Sequence, residues 1–393
     1  MTNIILLILT TIVSIPVIVF TAEVFLSFSP LRKIRTPNDE NNPTVVVLVP
    51  AHNESGTIEN TLTNINKQLK EGDHVLVVAD NCADNTAEIA RSHGAIVIER
   101  VDPENLGKGY ALDYGVRYLE DNPPDVLIVI DADCYVDSGT LSLLANKAMG
   151  ENKPVQALNL MSYNSPTTKQ RVAEFAWLVK NYVRPRGLYN IGMPCQLMGT
   201  GMAFPWPVIA SANMATGNIV EDVKMGLDMA AAGYAPIFCP DARVVSSFPD
   251  TLSAEHSQRK RWEHGHLSTI LNEVPKGVVR SIKRINPRLL ILILDLSVPP
   301  LALLTITLLG MFILSVVYMI FEGAPALVYF NLILLGLFFV STFLAWYAWG
   351  RKVISFLDLL QIPLYIVKKI PLYALFLIKK ESSWVRTDRN KKQ

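Results

Sequence analysis

Cysteine is scarce. Only four occur in 393 residues, Cys82, Cys134, Cys195 and Cys239, with no CxxC pair and no ligand spacing. That argues against a disulfide framework or a zinc ribbon and leaves reduced, packed thiols. An excess of one charge sign is missing too: 36 Lys and Arg stand against 35 Asp and Glu, a net of +1. This balance argues against a nucleic-acid binder. Charged residues make up only 18% of the chain and hydrophobic ones 50%, with a mean hydropathy of +0.28. Such a chain is too apolar to be disordered and unusually apolar for a soluble enzyme. Phosphate-cradling glycine loops are absent, since neither GxGxxG nor GxxxxGK[ST] occurs. There is no internal repeat and no low-complexity tract.

The apolar residues collect at both ends. Residues 4–28 carry one charge, Glu23, and are long enough to cross a hydrocarbon core of about 30 Å. No basic residues precede this run and no small-x-small site follows it, which favours a span over a cleaved signal peptide. Residues 296–321 and 324–350 are uncharged and joined through Glu322, the pattern of a transmembrane hairpin. Arg32, Lys33 and Arg35 follow the first run, Arg351 and Lys352 the last, and Trp346, Tyr347 and Trp349 stand where an aromatic belt would lie. The positive-inside rule then puts the N-terminus outside and the long middle of the chain in the cytoplasm. The expectation is a multi-pass protein of the plasma (inner) membrane with three spans.

Residues 353–378 are apolar but broken by Pro363 and Pro371 and charged at Asp358, Lys368 and Lys369. Two short amphipathic helices in the membrane interface are expected there, with a fourth and fifth span as the alternative. From Arg351 onward ten basic residues face three acidic ones, so the tail should favour anionic lipid. Residues 257–288 are also rich in cations, Arg259, Lys260 and Arg261 among them, and are expected to dock on the bilayer. The expected organisation is a helix over 1–28, a linker over 29–43, an α/β domain over 44–271, a basic interfacial segment over 272–295, the hairpin over 296–350 and the interfacial tail over 351–393.

Within the middle region short β-branched runs alternate with helical stretches. Strands are expected at 44–49, 74–79, 95–99 and 125–130, and helices at 55–69, 85–93, 108–119 and 223–232. That alternation implies βαβ units in a mostly parallel, Rossmann-like sheet, which binds ligands beyond its carboxyl strand ends. Polar clusters fall there: Pro50-Ala51-His52-Asn53-Glu54, Asp80-Asn81 and Asp131-Ala132-Asp133. Two acids two residues apart after an apolar strand suit a hard cation such as Mg²⁺ or Mn²⁺. Asp133 would hold it, and Asp131 would ligate it or meet a ribose; a solvated turn is the plainer alternative. His264 and His266 do not share a helical face and have no third ligand partner, so ordinary polar histidines are expected.

Five motifs then occur in order: the 50–54 loop, Asp80, Lys108 within Asn105-Leu106-Gly107-Lys108-Gly109, the DxD, and Glu221-Asp222 followed by Gln258-Arg259-Lys260-Arg261-Trp262, a QxxRW sequence. In this the chain resembles the membrane-bound family 2 glycosyltransferases of the GT-A fold, which include cellulose, hyaluronan and exopolysaccharide synthases. The likeness covers about residues 44–271. It implies a donor pocket in which Ala51, Glu54, Asp80 and Lys108 meet the nucleotide of a nucleotide-diphosphate sugar. Asp131 and Asp133 would hold the metal, and Gln258 and Arg261 would meet the diphosphate. Asp222 would be the general base of an inverting displacement. Glu221, Trp262, Gly199 and Thr200 would lie on the acceptor side, with an interfacial aromatic at Trp262 and a plain tight turn at Gly199-Thr200-Gly201 as the alternatives. Val220 departs from the threonine that often precedes the acidic pair in that family.

The partners implied are a nucleotide-sugar donor (a UDP-sugar first), a lipid-linked or polysaccharide acceptor, the lipid bilayer and other polysaccharide-assembly proteins. A single transfer and a processive synthase are both open. So is an acidic pair that serves only the helix dipole. Two other classes compete. A nucleotide-sugar pyrophosphorylase would need a glycine-rich signature that is missing, and a catalytically silent membrane scaffold would not need every acidic, Lys and QxxRW position filled.

Overall fold

The computed structural model describes residues 2–31, 43–163, 166–215, 220–248, 252–323, 325–367 and 369–378. Arg32, Lys33 and Arg35, most of the expected linker, and the basic tail from residue 379 onward lie outside these. The described residues form two compact units. One gathers those within 2–31, 166–192 and 263–378, the other those within 43–163 and 193–262.

The second unit is built on one sheet. Its strands are β1 (Val45–Ala51), β2 (His74–Asp80), β3 (Ile96–Arg100), β4 (Val126–Val129), β5 (Cys134–Val136), β6 (Val155–Ser162), β7 (Met202–Pro205) and β8 (Ile237–Ser247). They lie in the order β3-β2-β1-β4-β7-β6-β8-β5. The first four are parallel, with Leu48 opposite Leu76 and Val47 opposite Ile128. β7 runs antiparallel between β4 and β6, β8 is parallel to β6, and β5 closes the far edge antiparallel to β8. Alternate residues of β1 serve opposite faces, as strand geometry requires. Val45, Val47 and Val49 pack with Ile58, Leu62, Ile65 and Leu144, whereas Val46 and Leu48 pack with Leu112, Val116 and Met225. Burial on both faces is why β1 reads as an unbroken apolar run.

The four parallel strands appear where expected, shifted by one or two residues. The helix expected from Ser55 starts later, at Ile58–Asn66. Ser55 does not cap it: its N–H goes to Asp84 (3.2 Å), while Glu54 O receives the N–H groups of Thr57 and Ile58. The helix expected from Val223 starts earlier, at Glu221–Ala231, so the acidic pair occupies its first turn.

The first unit holds three helices long and apolar enough to cross a membrane: Ile4–Ser27, Leu301–Glu322 and Ala326–Ala348. It also takes residues that the sequence assigns to the α/β domain. Val172, Phe175, Val179 and Val183 recur at three- and four-residue spacing, an apolar helical stripe. They are buried with Val17, Phe20, Val24, Leu308 and Phe338. Glu23, the lone charge of the first run, accepts from Arg184 Nε (2.5 Å), and Arg184 Nη2 donates to Asp295 (2.6 Å). All three side chains are buried, so the pairing is what makes the guanidinium tolerable there.

The boundary expected at residue 272 falls inside a helix. The helix Leu252–Lys283 runs unbroken through the expected boundary, and Leu289, Leu292 and Ile293 of Pro287–Leu296 are buried. Among the described residues after the hairpin are three short helices, Phe356–Leu359, Ile362–Val367 and Ile370–Ile378, none long enough to span. The last has no charged residue, so its pattern is apolar rather than amphipathic. His264 Nε2 and His266 Nε2 lie 3.2 Å from the carbonyls of Leu372 and Val298.

Candidate active site

The DxD follows β4 in a tight turn, with Cys134 N–H donating back to Asp131 O (3.2 Å). One donor atom each from Asp131, Asp133 and Cys134 lies within 4.8 Å of the others. Two carboxylates are the hard oxygen ligands that Mg²⁺ and Mn²⁺ prefer. The thiol is unsuited. It is buried, holds Ser246 Oγ at 3.0 Å and Thr200 Oγ1 at 3.4 Å, and burial, then the charges of Asp133 and Asp131, keep it protonated. The aspartate pair therefore fits a hard divalent cation, with Cys134 as packing behind it.

A loop over residues 198–201 faces the DxD. Gln156, fully buried on β6, accepts from Met198 N–H (2.8 Å) and donates to Thr200 O (2.9 Å). Asn159 donates to Met198 O (2.9 Å). Gly199 and Gly201 have φ of +85° and +67°, conformations that cost glycine nothing. A Cβ at Gly201 would also stand 2.8 Å from Ala157 Cβ. Thr200 was expected on the acceptor side, but it is 2% exposed and its Oγ1 accepts from Asp131 N–H (3.0 Å). It supports the DxD from behind.

Lys108 opens the helix Lys108–Tyr118, a position where the helix dipole disfavours a cation. Carboxylates compensate. The ammonium pairs with Asp131 and donates to Gly199 O (2.7 Å). A Cβ at Gly199 would lie 3.5 Å from Asp222 Oδ2 and 3.8 Å from Lys108 Nζ, so the lysine and both acids share one small space. Burial opposes the ammonium's charge, but Asp131, Glu221 and Asp222 outweigh it and hold its pKa above the ordinary value. Glu221 moves the other way. Burial first, then the neighbouring Asp222 charge, push it up to about 7. At neutral pH the Glu221–Asp222 pair thus retains a proton much of the time.

Lys108, expected to line the nucleotide pocket, pairs with Asp131 beside the Glu221–Asp222 pair. The structure also gives Asp80 a partner that sequence reasoning missed. Asp80 is 6% exposed and accepts from Arg100 Nη1 (2.7 Å) and Asn81 Nδ2 (3.0 Å). Arg100 also donates to Asp102 (2.9 Å) and Asn105 O (2.9 Å). No local signal marks Arg100; only the pairing of β2 with β3 aligns it with Asp80. Ala51 lies opposite Ala79, next to Asp80 along β2, and Thr57 Oγ1 donates to Glu54 Oε2 (2.9 Å). His52 Nδ1 lies 2.6 Å from Asp80 O, and Glu54 N–H donates to Thr86 Oγ1 (2.8 Å). Gln258 is buried, and Arg261 and Trp262 are half-buried on the helix Leu252–Lys283.

An acid-lined site beyond the carboxyl strand ends of such a sheet is where α/β enzymes bind their ligands, and comparison with known proteins gives the class. The family model for Glycosyl transferase family 2 matches residues 46–203. That for Glycosyl transferase family group 2 matches residues 126–349, more than half of the chain. The chain belongs to the family 2 glycosyltransferases. It is 25% identical over 262 residues to the poly-β-1,6-N-acetyl-D-glucosamine synthase of Staphylococcus aureus, 65% of this chain and 61% of that protein. It is 24% identical over 257 residues to a probable glycosyltransferase, YdaM, of Bacillus subtilis, 63% of this chain and 61% of that one. The chain thus spans about three-fifths of the length of these curated relatives. A mannosyltransferase of Pyrobaculum calidifontis, solved with GDP-Man and Mn²⁺, is similar with a TM-score of 0.55 at 18% identity over 97% of this chain and 100% of that one. That likeness concerns the fold.

Proposed function

We propose that this chain transfers a sugar from a nucleotide-diphosphate donor, a UDP-sugar in the first instance, to a lipid-linked or growing polysaccharide acceptor, with inversion at C1. One observation carries the reading: Lys108, Asp131, Glu221 and Asp222, from three separate segments, meet at a single mostly buried point. Glycosyl transfer needs a base on the acceptor side of C1 and charge stabilisation on the leaving side. Asp222 takes the proton of the acceptor hydroxyl. Glu221, with its raised pKa, shares the negative charge of the pair. Lys108 fixes the distance between that pair and the DxD. Asp131 and Asp133 would hold Mg²⁺ or Mn²⁺, which when bound supplies stabilisation of the departing diphosphate. Arg261 and Gln258 meet the diphosphate, and Trp262 offers the acceptor sugar a flat apolar face. Ala51, Glu54 and Asp80 hold the nucleotide, with Arg100 orienting Asp80.

The apolar helices point to a membrane enzyme. Arg351 and Lys352 after the last of them favour a cytoplasmic catalytic unit by the positive-inside rule. A processive synthase is the second reading, favoured by the likeness to a polymer synthase. The deciding experiment gives the purified membrane protein labelled UDP-N-acetylglucosamine, UDP-glucose or GDP-mannose with a polyprenyl-linked acceptor. One added unit supports single transfer, a ladder of long products supports the synthase, and no transfer from any of these donors removes the reading.

A further inference from the structure

Three consecutive cations, Arg259, Lys260 and Arg261, lie inside the QxxRW stretch, and the sequence alone expects the segment that holds them to dock on the bilayer, with Arg261 at the diphosphate. The structure withdraws the first. The Arg259 side chain is 13% exposed and that of Glu255 5%, and Arg259 Nη2 donates to Glu255 Oε1 at 2.5 Å and to Tyr163 Oη at 3.2 Å. Tyr163 directly follows β6 and stacks on Phe248, which directly follows β8, with centroids 4.2 Å apart and planes 9° apart. The two strands pair to their ends, Ser162 opposite Ser247, and Phe248 N–H donates to Ser162 O (3.2 Å). The ring pair is therefore set by the sheet and not by the helix that meets it.

We infer that Arg259 is a positioning residue: it clamps the start of the Leu252–Lys283 helix to the carboxyl ends of β6 and β8, and so sets where Arg261 and Trp262 stand. Successive helical residues turn by about 100°. With Arg259 turned to the sheet, Arg261, two residues on, is carried roughly 200° around the helix axis. An apolar pair in place of Glu255 and Arg259 together would fill the site without the cost of burying charges, so the ion pair contributes direction more than net stability. Arginine suits this because its planar fork fixes both donor directions, whereas a lysine ammonium rotates. The inference rests on the proposed roles of Arg261 and Trp262 in binding diphosphate and acceptor.

The test uses the full-length protein in lipid nanodiscs and whichever of the three donors above supports turnover. Arg259→Met should lower kcat/KM for the acceptor at least tenfold, mostly through KM, and should weaken donor protection against heat as Arg261 shifts with Trp262. Tyr163→Phe should shift it about threefold in the same direction, and the exchange Glu255→Arg with Arg259→Glu should recover part of the loss. A variant that lowers only the melting temperature, with acceptor kinetics within twofold of the parent, overturns the inference. If Arg259→Met does not fold, Arg259→Lys and Tyr163→Phe decide, and parental kinetics in both overturn it. Trp262→Ala separates the two levels. A silent Arg259→Met beside an inactive Trp262→Ala sinks only the clamp, whereas full activity of Trp262→Ala and Arg261→Ala together sinks the functional reading beneath it.

Discussion

Replacing Lys108 by methionine keeps most of the side chain's volume and removes one charge. The ammonium is mostly buried, with its side chain 23% exposed, and it faces three carboxylates, those of Asp131, Glu221 and Asp222. Two unit charges about 4 Å apart attract by about 4 kcal/mol at an effective dielectric of 20. Breaking a buried pair from one side costs roughly 3–5 kcal/mol, and partial solvent access lowers that to about 2 kcal/mol here. Lys108→Met should therefore lower unfolding stability by about 2 kcal/mol at pH 7.5. Added Mn²⁺ should restore part of the loss, because a cation at the DxD would again face Asp131. The same change leaves the acidic pair without its nearest cation, so the acid limb of the pH–rate profile should move to higher pH and turnover should fall roughly a hundredfold. Thermal unfolding with and without Mn²⁺, beside a pH–rate profile, reads both effects. Parental turnover with an unmoved acid limb would refute the view that Lys108 ties the metal-side carboxylate to the base.

The remaining expectations follow from the same geometry. Glu221 has a folded pKa above its unfolded value, so its favourable contribution is complete below about pH 4.5 and is lost as pH rises through about 7. Glu221→Gln should accordingly stabilise the protein by about 2 kcal/mol at pH 8.5 and change little at pH 4, as measured by urea unfolding at both pH values. Asp222→Asn should cut kcat by roughly 10²–10⁴ with donor protection retained. Asp133→Asn should instead abolish Mn²⁺-dependent donor protection, and equal behaviour of these two variants would show the roles misassigned. In the unit of apolar helices, Arg184→Met strands Glu23 and Asp295 without their cation, at a cost of roughly 3–5 kcal/mol. Folded yield in detergent should collapse and return when Glu23→Gln and Asp295→Asn are added.

Half of the sheet was legible in the chain. β1 to β4 are local apolar runs with helices between them; burial on both faces writes β1, β2 and β4 into their own residues, while β3, at the sheet edge, is marked by its β-branched run alone. β6 to β8 carried no such mark. β7 is only Met-Ala-Phe-Pro, and β8 contains Pro240 and pairs with β6 across a register shift at Ala157/Leu158. These strands exist because their neighbours complete them. The three apolar helices were legible for the opposite reason, since length and composition suffice to mark them.

At the site, the identities of the acidic residues were open to sequence reasoning, because a chemistry that handles cations and protons restricts which side chains can perform it. Their partnerships were not. Lys108 meets Asp131 across 23 residues and Gly199 across 91, Arg100 meets Asp80 across 20, and Arg184 meets Glu23 across 161. Amino-acid type and local spacing determine what a residue can do and which strand or helix it joins. Whether Thr200 contacts a substrate or supports an aspartate, and whether Arg259 meets lipid or a tyrosine, depends on chain closure that brings distant backbone together, and only the folded chain decides it.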